Sequence, residues 1–233
     1  MERVSIVIPI RDEEAAIGLV LERMRKATSV IEGFEFEVVV VDDGSSDRGS
    51  EIARAYGARV LDNPAPHGKG AALRTGFSAA TGAVIVMMDG DDSHRPEDLG
   101  AFLDAVKLGA SLVIGSRIFG GSEEYTAVRA FGNIVLTYLF GVLHGRYLSD
   151  ALNGYKAFRR EVFSSFDYTS VGFEIEIELL VNTLRLGGSI VEIPSHERAR
   201  TGGRSKSSII RHGFGFLARI VYERVRGAHR TTR

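Results

Sequence analysis

Two short apolar runs in this chain each end abruptly in acidic residues. Residues 38–41 lead into Asp42 and Asp43, and residues 84–88 lead into three acids within positions 89–92. An uninterrupted apolar run is typical of a strand that helices cover on both faces, as in parallel sheets. The sequence therefore predicts buried strands that carry carboxylates at their carboxyl ends.

Strand-like and helix-like segments alternate along the chain. The predicted strands are residues 4–10, 36–41, 59–61, 83–88, 112–114, 154–158 and 189–193, and the predicted helices are residues 13–30, 46–57, 70–80, 96–107, 126–144, 173–186 and 209–225. This β-α-β-α rhythm predicts a mostly parallel, Rossmann-like α/β sheet with helices on both faces, built as a single domain. Ligands of such sheets bind beyond the carboxyl ends of the strands.

Asp89 and Asp91 are candidates for a metal site. In an extended segment, residues i and i+2 point to the same side, so both carboxylates can face one cation. Hard oxygen ligands with open coordination positions suit Mg²⁺ or Mn²⁺ that holds a diphosphate. An ordinary solvated turn is the alternative explanation of these acids.

Two further segments carry groups suited to a nucleotide. A carboxylate at Asp42 or Asp43 can accept hydrogen bonds from a ribose hydroxyl or a base N–H. Gly68 and Gly70 let backbone amides approach an anion, and Lys69 adds a positive charge. A helix-capping turn explains the first segment equally well, and loop flexibility explains the second.

Three expectations concern individual helices. Asp12 is expected to cap the first predicted helix. Glu174, Glu176 and Glu178 alternate near the start of their helix, where a solvated face is expected. The predicted helix of residues 126–144 is apolar nearly all round, so it is expected to be buried or to dock on an apolar partner.

The net charge of −1 conceals an asymmetry along the chain. Residues 198–233 hold nine Arg and one Lys against a single acid, which gives this segment about +9 and residues 1–197 about −10. A basic tail favours an anionic partner such as phosphate or a membrane surface. The acidic body argues against nucleic acid. The alternative explanation of the basic tail is a solvated helix face.

Composition and the first residues exclude several classes. The chain has no cysteine, which excludes disulfides, thiolate metal sites and thiol catalysis. It enters a strand directly and lacks the form of a signal peptide, so a cytoplasmic protein is expected. The longest apolar stretch, residues 130–143, is expected to be too short to cross a bilayer.

Together these segments resemble the nucleotide-sugar-dependent family-2 glycosyltransferases of GT-A fold. The resemblance is carried by residues 4–9 and 12–14, 41–47, 68–70, 89–91, 96–97 and 115–117. Later segments resemble the branch of polyprenyl-phosphate hexose synthases, such as dolichyl-phosphate mannose or glucose synthases, and they are residues 149–160 and the loop 200–206. Two features depart from that branch. Asp92-Ser93 stands where Leu-Gln often follows the metal motif, and no transmembrane helices follow.

The resemblance implies an inverting enzyme that moves a hexose from a GDP- or UDP-linked donor to a polyprenyl phosphate with the help of Mg²⁺ or Mn²⁺. It implies metal ligation by Asp89 and Asp91, with Asp91 catalytic. Arg129 would hold the acceptor phosphate. Asp150 would be the catalytic base that a hydroxyl acceptor needs. The implied donor-binding residues are Pro9, Asp12, Glu14, Asp42, Asp43, Lys69, Asp89, Gly90, Arg117, Arg200 and Lys206.

The implied organisation is a catalytic domain of residues 1–208 followed by a basic amphipathic helix and tail, residues 209–233. This tail would hold the protein peripherally on the cytoplasmic face of an anionic membrane. The possibility that the protein forms a homo-oligomer is left open.

Three other functions are weighed against this one. The same fold can transfer sugar to a soluble or protein-bound hydroxyl. A nucleotidyltransferase is disfavoured because residues 10–16 lack the glycines that such enzymes usually carry after their first strand. A non-catalytic nucleotide-sugar-binding protein is disfavoured because the acids are intact.

Overall fold

The computed structural model describes residues 1–201 and 209–226. Its strands are β1 (Glu2–Ile10), β2 (Phe34–Asp42), β3 (Arg59–Asp62), β4 (Val84–Met87), β5 (Leu112–Ser116), β6 (Lys156–Arg159) and β7 (Ile190–Pro194). Its helices are α1 (Glu14–Thr28), α2 (Gly49–Ala55), α3 (Lys69–Ala79), α4 (Leu99–Lys107), α5 (Arg117–Gly120), α6 (Ala127–His144), α7 (Arg160–Ser164), α8 (Ile175–Arg185) and α9 (Ile209–Arg226). A 3₁₀ turn, Pro96–Asp98, leads into α4.

Within the described residues, seven strands form one mixed sheet in the order β3-β2-β1-β4-β6-β5-β7. β1 pairs in parallel with β2 and β4, whereas β6 runs antiparallel between β4 and β5. The chain moves outward from β1 to β2 and β3, and it then returns to β4 on the other side of β1. At such a switch point a crevice forms outside the carboxyl ends of the two strands.

Apolar cores lie on both faces of the sheet. Helices α1, α2 and α4 cover one face, where Ile17 and Phe102 are fully buried. Helices α3, α6, α7, α8 and α9 cover the other, where Phe77 and Phe140 are fully buried together with Ile220 of α9. The predicted mostly parallel α/β sheet with helices on both faces, in a single domain, is confirmed. The predicted boundary at residue 208 lies outside the described residues.

The loops after β1 and β2 are tied together by carboxylates. The backbone N–H of Glu14 donates to Asp47 Oδ2 (2.8 Å). Asp12, whose φ is +52°, accepts from the backbone N–H of Ser46 (2.7 Å). The prediction that Asp12 caps α1 is therefore wrong, because its carboxylate serves the neighbouring loop instead.

The glutamates of α8 do not form a solvated face. Glu176 and Glu178 are each 1% exposed. Lys69 of α3 pairs with Glu176 and Arg219 of α9 pairs with Glu178. The prediction of a solvated acidic face is therefore wrong, and the buried charges stay inside the protein because each has a cationic partner.

Helix α6 is only partly covered by the rest of the protein. Its buried residues are Asn133, Thr137, Phe140 and Gly141. By length and composition its 18 residues are enough to cross a membrane, and only 22% of them are buried. The apolar stretch predicted to be too short, residues 130–143, lies within this longer helix.

Candidate active site

A cleft of about 520 Å³ opens beyond the carboxyl ends of β1, β2 and β4. Its volume is within the usual range of small-molecule sites. We call it the strand-end cleft. It brings together eight residues that the sequence predicts to bind a donor or metal, and they are Pro9, Asp12, Asp43, Lys69, Asp89, Gly90, Asp91 and Arg200.

Asp43 anchors one wall of the strand-end cleft. Its Oδ1 accepts a hydrogen bond from the backbone N–H of Gly68 (3.0 Å), and Arg11 Nη1 lies 4.0 Å from its Oδ2. Asp42 instead accepts from the backbone N–H of Ser45 (2.7 Å), within the turn that leads to α2. Of the two candidate aspartates, the structure therefore places Asp43 at the cleft.

Asp89 follows β4 and forms a buried ion pair with Lys69. Its Oδ1 lies 2.7 Å from Lys69 Nζ, which also lies 3.1 Å from Glu176 Oε1. Burial raises the pKa of Asp89, but Lys69, His94 and Arg200 together outweigh burial and hold this pKa well below its usual range. Burial lowers the pKa of Lys69, but the two carboxylates outweigh it and raise that pKa. Asp89 is therefore ionised at neutral pH, as a metal ligand must be.

Asp91 and Asp92 point to different partners. Asp91 Oδ2 lies 2.9 Å from Arg200 Nη1, and its Oδ1 accepts from the hydroxyl of Ser93 (2.6 Å). Asp92 pairs with Arg23 of α1 at 3.1 Å, and burial raises its pKa. The third acid of the segment therefore serves the contact with α1 and does not line the cleft.

The donor set of the strand-end cleft fits a divalent cation that arrives with a diphosphate. Asp89 and Asp91 line the same cleft. Across residues 1–201 and 209–226, no cluster of three or more Asp, Glu or His side chains forms a closed metal site. Two carboxylates suit an ion such as Mg²⁺, which takes its remaining ligands from phosphate oxygens and water. These two acids are the residues that would hold it.

Gly154 gives the Lys69–Asp89 ion pair its space. A Cβ at this position would lie 2.8 Å from Lys69 Nζ and 3.1 Å from Asp89 Oδ2. Two residues further on, the fully buried Lys156 donates through Nζ to the carbonyl of Ala151 (3.2 Å). Burial lowers the pKa of Lys156 to about 8. The turn of residues 151–154 thus forms a floor beneath the ion pair.

A second pocket, of about 190 Å³, adjoins the strand-end cleft beneath α6. We call it the α6 pocket. Lys69, Asp89 and Arg200 line both spaces, and Arg117 and Arg129 line the α6 pocket. An anion in this pocket would therefore lie next to a ligand in the cleft.

Arg117 is held in place by Asp150. The carboxylate of Asp150 accepts from the backbone N–H (3.0 Å), Nε (2.7 Å) and Nη2 (2.9 Å) of Arg117, and from Asn133 Nδ2 (2.9 Å). Burial raises the pKa of Asp150, but Arg117 outweighs it and lowers the pKa. A carboxylate has about four acceptor sites, so these donors fill them. The geometry argues against the predicted role of Asp150 as a general base and gives it a positioning role.

Arg129 lies in the first turn of α6. Its backbone N–H donates to Oγ1 of Thr126 (3.3 Å), the residue that caps the helix. Its Nη1 lies 3.4 Å from Glu124 Oε2. The side chain lines the α6 pocket near a helix N-terminus, where the helix dipole also favours an anion.

The comparisons with known proteins agree with this geometry. The family model described as glycosyl transferase family 2 matches residues 5–166. This chain belongs to glycosyltransferase family 2.

Relatives of this glycosyltransferase include enzymes named for lipid-phosphate acceptors. It is 36% identical over 198 residues to the dolichyl-phosphate hexose transferase of Haloferax volcanii, which covers 85% of this chain and 84% of the relative. It is 34% identical over 225 residues to the polyprenol monophosphomannose synthase of Mycolicibacterium smegmatis, covering 89% of this chain and 82% of the relative.

Solved structures extend the similarity to the fold. A glucosyl-3-phosphoglycerate synthase from Mycobacterium tuberculosis, solved with Mn²⁺, UDP and glucosyl-3-phosphoglycerate, superposes with a TM-score of 0.73 at 25% identity. The match covers 94% of this glycosyltransferase and 80% of that chain.

Two predicted donor-binding residues of this glycosyltransferase, Glu14 and Asp42, do not line the strand-end cleft, and a third, Arg117, lines the α6 pocket. Glu14 pairs with Arg48 at 2.6 Å on the outer side of the loop. Asp42 lies in its turn, as described above. Lys206 falls outside the described residues, so its role stays a prediction.

Sequence reasoning missed three residues that line one or both of these spaces. Phe173 and His212 line both spaces, and their ring centroids lie 4.5 Å apart. Glu176 lines the α6 pocket as the second partner of Lys69. A buried lysine requires an anionic partner, but nothing local in the sequence identifies Glu176 as the partner of Lys69.

Proposed function

We propose that this glycosyltransferase moves a hexose from a nucleotide sugar to a polyprenyl phosphate, with inversion at the anomeric carbon. The observation that carries the proposal is the contact between a cleft that holds Asp89 and Asp91 and a pocket that holds Arg117 and Arg129. The acid-lined strand-end cleft suits a metal-bound nucleotide sugar, and the arginine-lined α6 pocket suits a phosphate. The relatives named above use polyprenyl or dolichyl phosphate according to their names.

The strand-end cleft would take the donor. Asp43 would accept hydrogen bonds from the nucleoside, and Arg200 would contact the diphosphate. Asp89 and Asp91 would hold Mg²⁺ or Mn²⁺ together with the diphosphate. When bound, the ion supplies Lewis-acid neutralisation of the charge that develops on the leaving group.

The α6 pocket would take the acceptor phosphate. Arg117 and Arg129 supply positive charge there, and Asp150 fixes the guanidinium of Arg117. A phosphate is already anionic at neutral pH, so one of its oxygens attacks the anomeric carbon without a general base. The bond to the nucleoside diphosphate breaks as the new bond forms, which inverts the anomeric centre.

A soluble phosphorylated alcohol is the second candidate acceptor. The Mycobacterium tuberculosis enzyme with a similar fold was solved with glucosyl-3-phosphoglycerate, and an arginine-lined pocket suits such an anion. A hydroxyl acceptor needs a base, however, and Asp150 has its acceptor sites filled by Arg117 and Asn133. This geometry favours the phosphate oxygen as the nucleophile.

The test is transfer of labelled hexose from GDP- and UDP-sugars to polyprenyl phosphate or to 3-phosphoglycerate. We expect label in the lipid fraction with one donor, loss of transfer with a chelator, and recovery with Mn²⁺ or Mg²⁺. The anomeric configuration of the product, opposite to that of the donor, checks inversion. Label in 3-phosphoglycerate alone would overturn the proposal.

The remaining predictions on partners extend this proposal. The basic segment, residues 198–233, would hold the protein peripherally on an anionic cytoplasmic membrane face. Parts of that segment lie outside the described residues. Nucleic acid is not an expected partner, and the oligomeric state stays open.

A further inference from the structure

The two carboxylate oxygens of Asp43 have different surroundings. Its Oδ1 accepts from Asn63 Nδ2 (2.7 Å) and from the backbone N–H of Gly68 (3.0 Å), and His67 Nδ1 lies 3.3 Å from it. Its Oδ2 lies 4.0 Å from Arg11 Nη1, which is longer than a hydrogen bond. A carboxylate oxygen has about two acceptor sites. The protein therefore fills Oδ1 and leaves Oδ2 as the oxygen that can serve a ligand.

The orientation of this carboxylate is fixed by the backbone and by Asn63. The backbone N–H of Asp43 donates to the carbonyl of Ile10 at the end of β1 (2.9 Å). Asn63 is only 5% exposed, and its Oδ1 accepts from Thr75 Oγ1 of α3 (2.8 Å), so its amide nitrogen faces Asp43. Rotation of the carboxylate would break the bonds from Asn63 and Gly68. A ligand in the strand-end cleft therefore meets one acceptor in a fixed place.

Asp43 and the proposed metal ligands lie on opposite sides of β1. Asp43 follows β2 and Asp89 follows β4, with β1 between these strands. Neighbouring strands are about 4.8 Å apart, so the two aspartates are about 10 Å apart across the sheet. A ribose bridges a distance of this order between a base and a diphosphate. With the diphosphate at Asp89 and Asp91, the base belongs at Asp43.

Uracil and guanine present different edges to such an acceptor. Uracil carries one ring N–H between two carbonyl oxygens. Guanine carries a ring N–H beside an exocyclic amino group, and two adjacent donors pair best with both oxygens of one carboxylate. Because Asn63 and Gly68 fill Oδ1 of Asp43, the amino group of guanine would meet an oxygen whose acceptor sites are taken. A buried donor without a partner is costly. Uracil has a carbonyl oxygen in that place, and Arg11 would donate to its other carbonyl.

We propose that Asp43 selects uracil over guanine as the base of the donor, because the protein leaves only one of its oxygens to accept a hydrogen bond. The donor is then a UDP-linked hexose. This inference rests on the proposed function, which puts a nucleotide sugar in the strand-end cleft, and it names the base. Asp43 is a specificity-determining residue in this account.

The first test needs no variant. Calorimetry with Mn²⁺ measures the Kd of UDP and the Kd of GDP for the unaltered chain. We expect UDP to bind about tenfold more tightly or better, since guanine leaves one donor unpaired. If GDP binds as tightly as UDP, or more tightly, the inference is overturned.

The second test reverses the hydrogen-bonding character of Oδ2. In Asp43→Asn the amide oxygen can keep the bonds from Asn63 and Gly68, and the amide nitrogen then replaces Oδ2. A donor there opposes the N–H of uracil but pairs with N3 of cytosine, which is an acceptor. We expect the ratio of the CDP Kd to the UDP Kd to fall by about 10- to 100-fold. A purely structural role of Asp43 would weaken both nucleotides alike, so an unchanged ratio overturns the inference.

The matched control for the second test is Asp62→Asn. Asp62 ends β3 at the same edge of the sheet and does not line the strand-end cleft. We expect this control to keep the UDP and CDP affinities of the unaltered chain. Thermal unfolding without nucleotide shows whether Asp43→Asn is folded. If it is not, the comparison of UDP with GDP in the unaltered chain still decides.

Failure of the proposed function gives a different result. Transfer of hexose to polyprenyl phosphate from a GDP-sugar, and not from a UDP-sugar, would keep the proposed function and overturn the selection of uracil. Selective binding of UDP without any transfer to polyprenyl phosphate would support the selection of uracil and remove the proposed acceptor.

Discussion

The strand-end cleft and the α6 pocket share a wall but arrange their charged side chains differently. In the cleft, Asp89 and Asp91 project carboxylates from the end of β4, and their cationic partners stand to the side. In the α6 pocket, the cation Arg117 faces the ligand and the carboxylate of Asp150 stands behind it. The first arrangement suits a cation with a diphosphate, and the second suits an anion that arrives alone.

Lys69 marks the border between these two environments. It lies 2.7 Å from Asp89 on the cleft side and 3.1 Å from Glu176 on the pocket side. Removing charges from water is costly unless their geometry and hydrogen bonding are good. The comparison teaches that buried ion pairs fix the directions of individual charges, Asp89 in the cleft and Arg117 in the pocket, on the two sides of one shared wall.

The largest effect is expected from removal of a cleft carboxylate. Asp89→Asn removes a proposed metal ligand and leaves Lys69 with Glu176 alone. We expect kcat/KM for transfer to fall by about 10³-fold or more, because charge on the leaving group is then poorly neutralised. Steady-state kinetics with Mn²⁺, and calorimetry of nucleoside diphosphate binding with and without Mn²⁺, measure the two effects.

The matched control for that variant is Asp62→Asn. Asp62 ends β3 at the same edge of the sheet, and its side chain is exposed outside the strand-end cleft. We expect its activity to stay close to that of the unaltered chain. Equal losses in both variants would show that Asp89 acts through general surface charge and not through the cleft.

The next effect concerns the α6 pocket. Asp150→Asn leaves the Arg117 guanidinium, 13% exposed, without its main counter-charge. We expect the free energy of unfolding to fall by about 3 kcal/mol, as for other broken buried ion pairs. The acceptor KM is expected to rise while the donor KM stays the same. Urea unfolding and steady-state kinetics measure these changes.

Glu2→Gln is the control for Asp150→Asn. Glu2 pairs with Arg159 at 2.6 Å, but both side chains are about one-third exposed, at 32% and 31%. Its loss is expected to cost less than about 1 kcal/mol. If Asp150→Asn lowers kcat without changing the acceptor KM, and the acidic limb of the pH–rate profile disappears, Asp150 is a general base after all.

The strand-end cleft is also the region that sequence predicts better. The strands that end at Ile10, Asp42 and Met87 are near-continuous apolar runs, so their polar ends are visible in the sequence. Parallel strands bring their carboxyl ends to one edge, which places Asp43 and Asp89 together without knowledge of any side-chain contact.

The α6 pocket gives no comparable signal. Its walls come from residues far apart in the chain, such as Arg117, Asn133 and His212. Glu176 follows the pattern of a solvated helix face, and only the tertiary contact with Lys69 makes it a buried partner. Long-range ion pairs of this kind have no local sequence pattern, so only the structure reveals them.

A smaller effect is expected at the turn of residues 151–154, beneath the Lys69–Asp89 ion pair. Gly154→Ala would place a Cβ 2.8 Å from Lys69 Nζ and push this side chain away from Asp89. We expect kcat to fall by about 10- to 100-fold, since displacements near 1 Å have costs of that order. In Gly100→Ala the nearest atom, Ile31 Cδ1, lies 4.0 Å away. We expect Gly100→Ala to keep its activity. If its kcat falls as much as that of Gly154→Ala, a clash with Lys69 does not explain the effect of Gly154→Ala.

The smallest effect is a pH dependence of stability that arises from the buried Lys156. The pKa of Lys156 is about 8 in the folded protein because of burial, against 10.5 ordinarily. Between these values the unfolded chain binds more protons than the folded one, so the free energy of unfolding rises with pH. We expect a rise of roughly 2 kcal/mol from about pH 8 to about pH 10, where tyrosines begin to ionise in the unfolded chain. Lys156→Met is expected to flatten this rise in urea unfolding. Lys69 keeps its charge throughout this pH interval because its pKa is raised, so it does not contribute to the rise. If the free energy of unfolding rises equally with pH in the unaltered chain and in Lys156→Met, the folded chain holds Lys156 in its charged form.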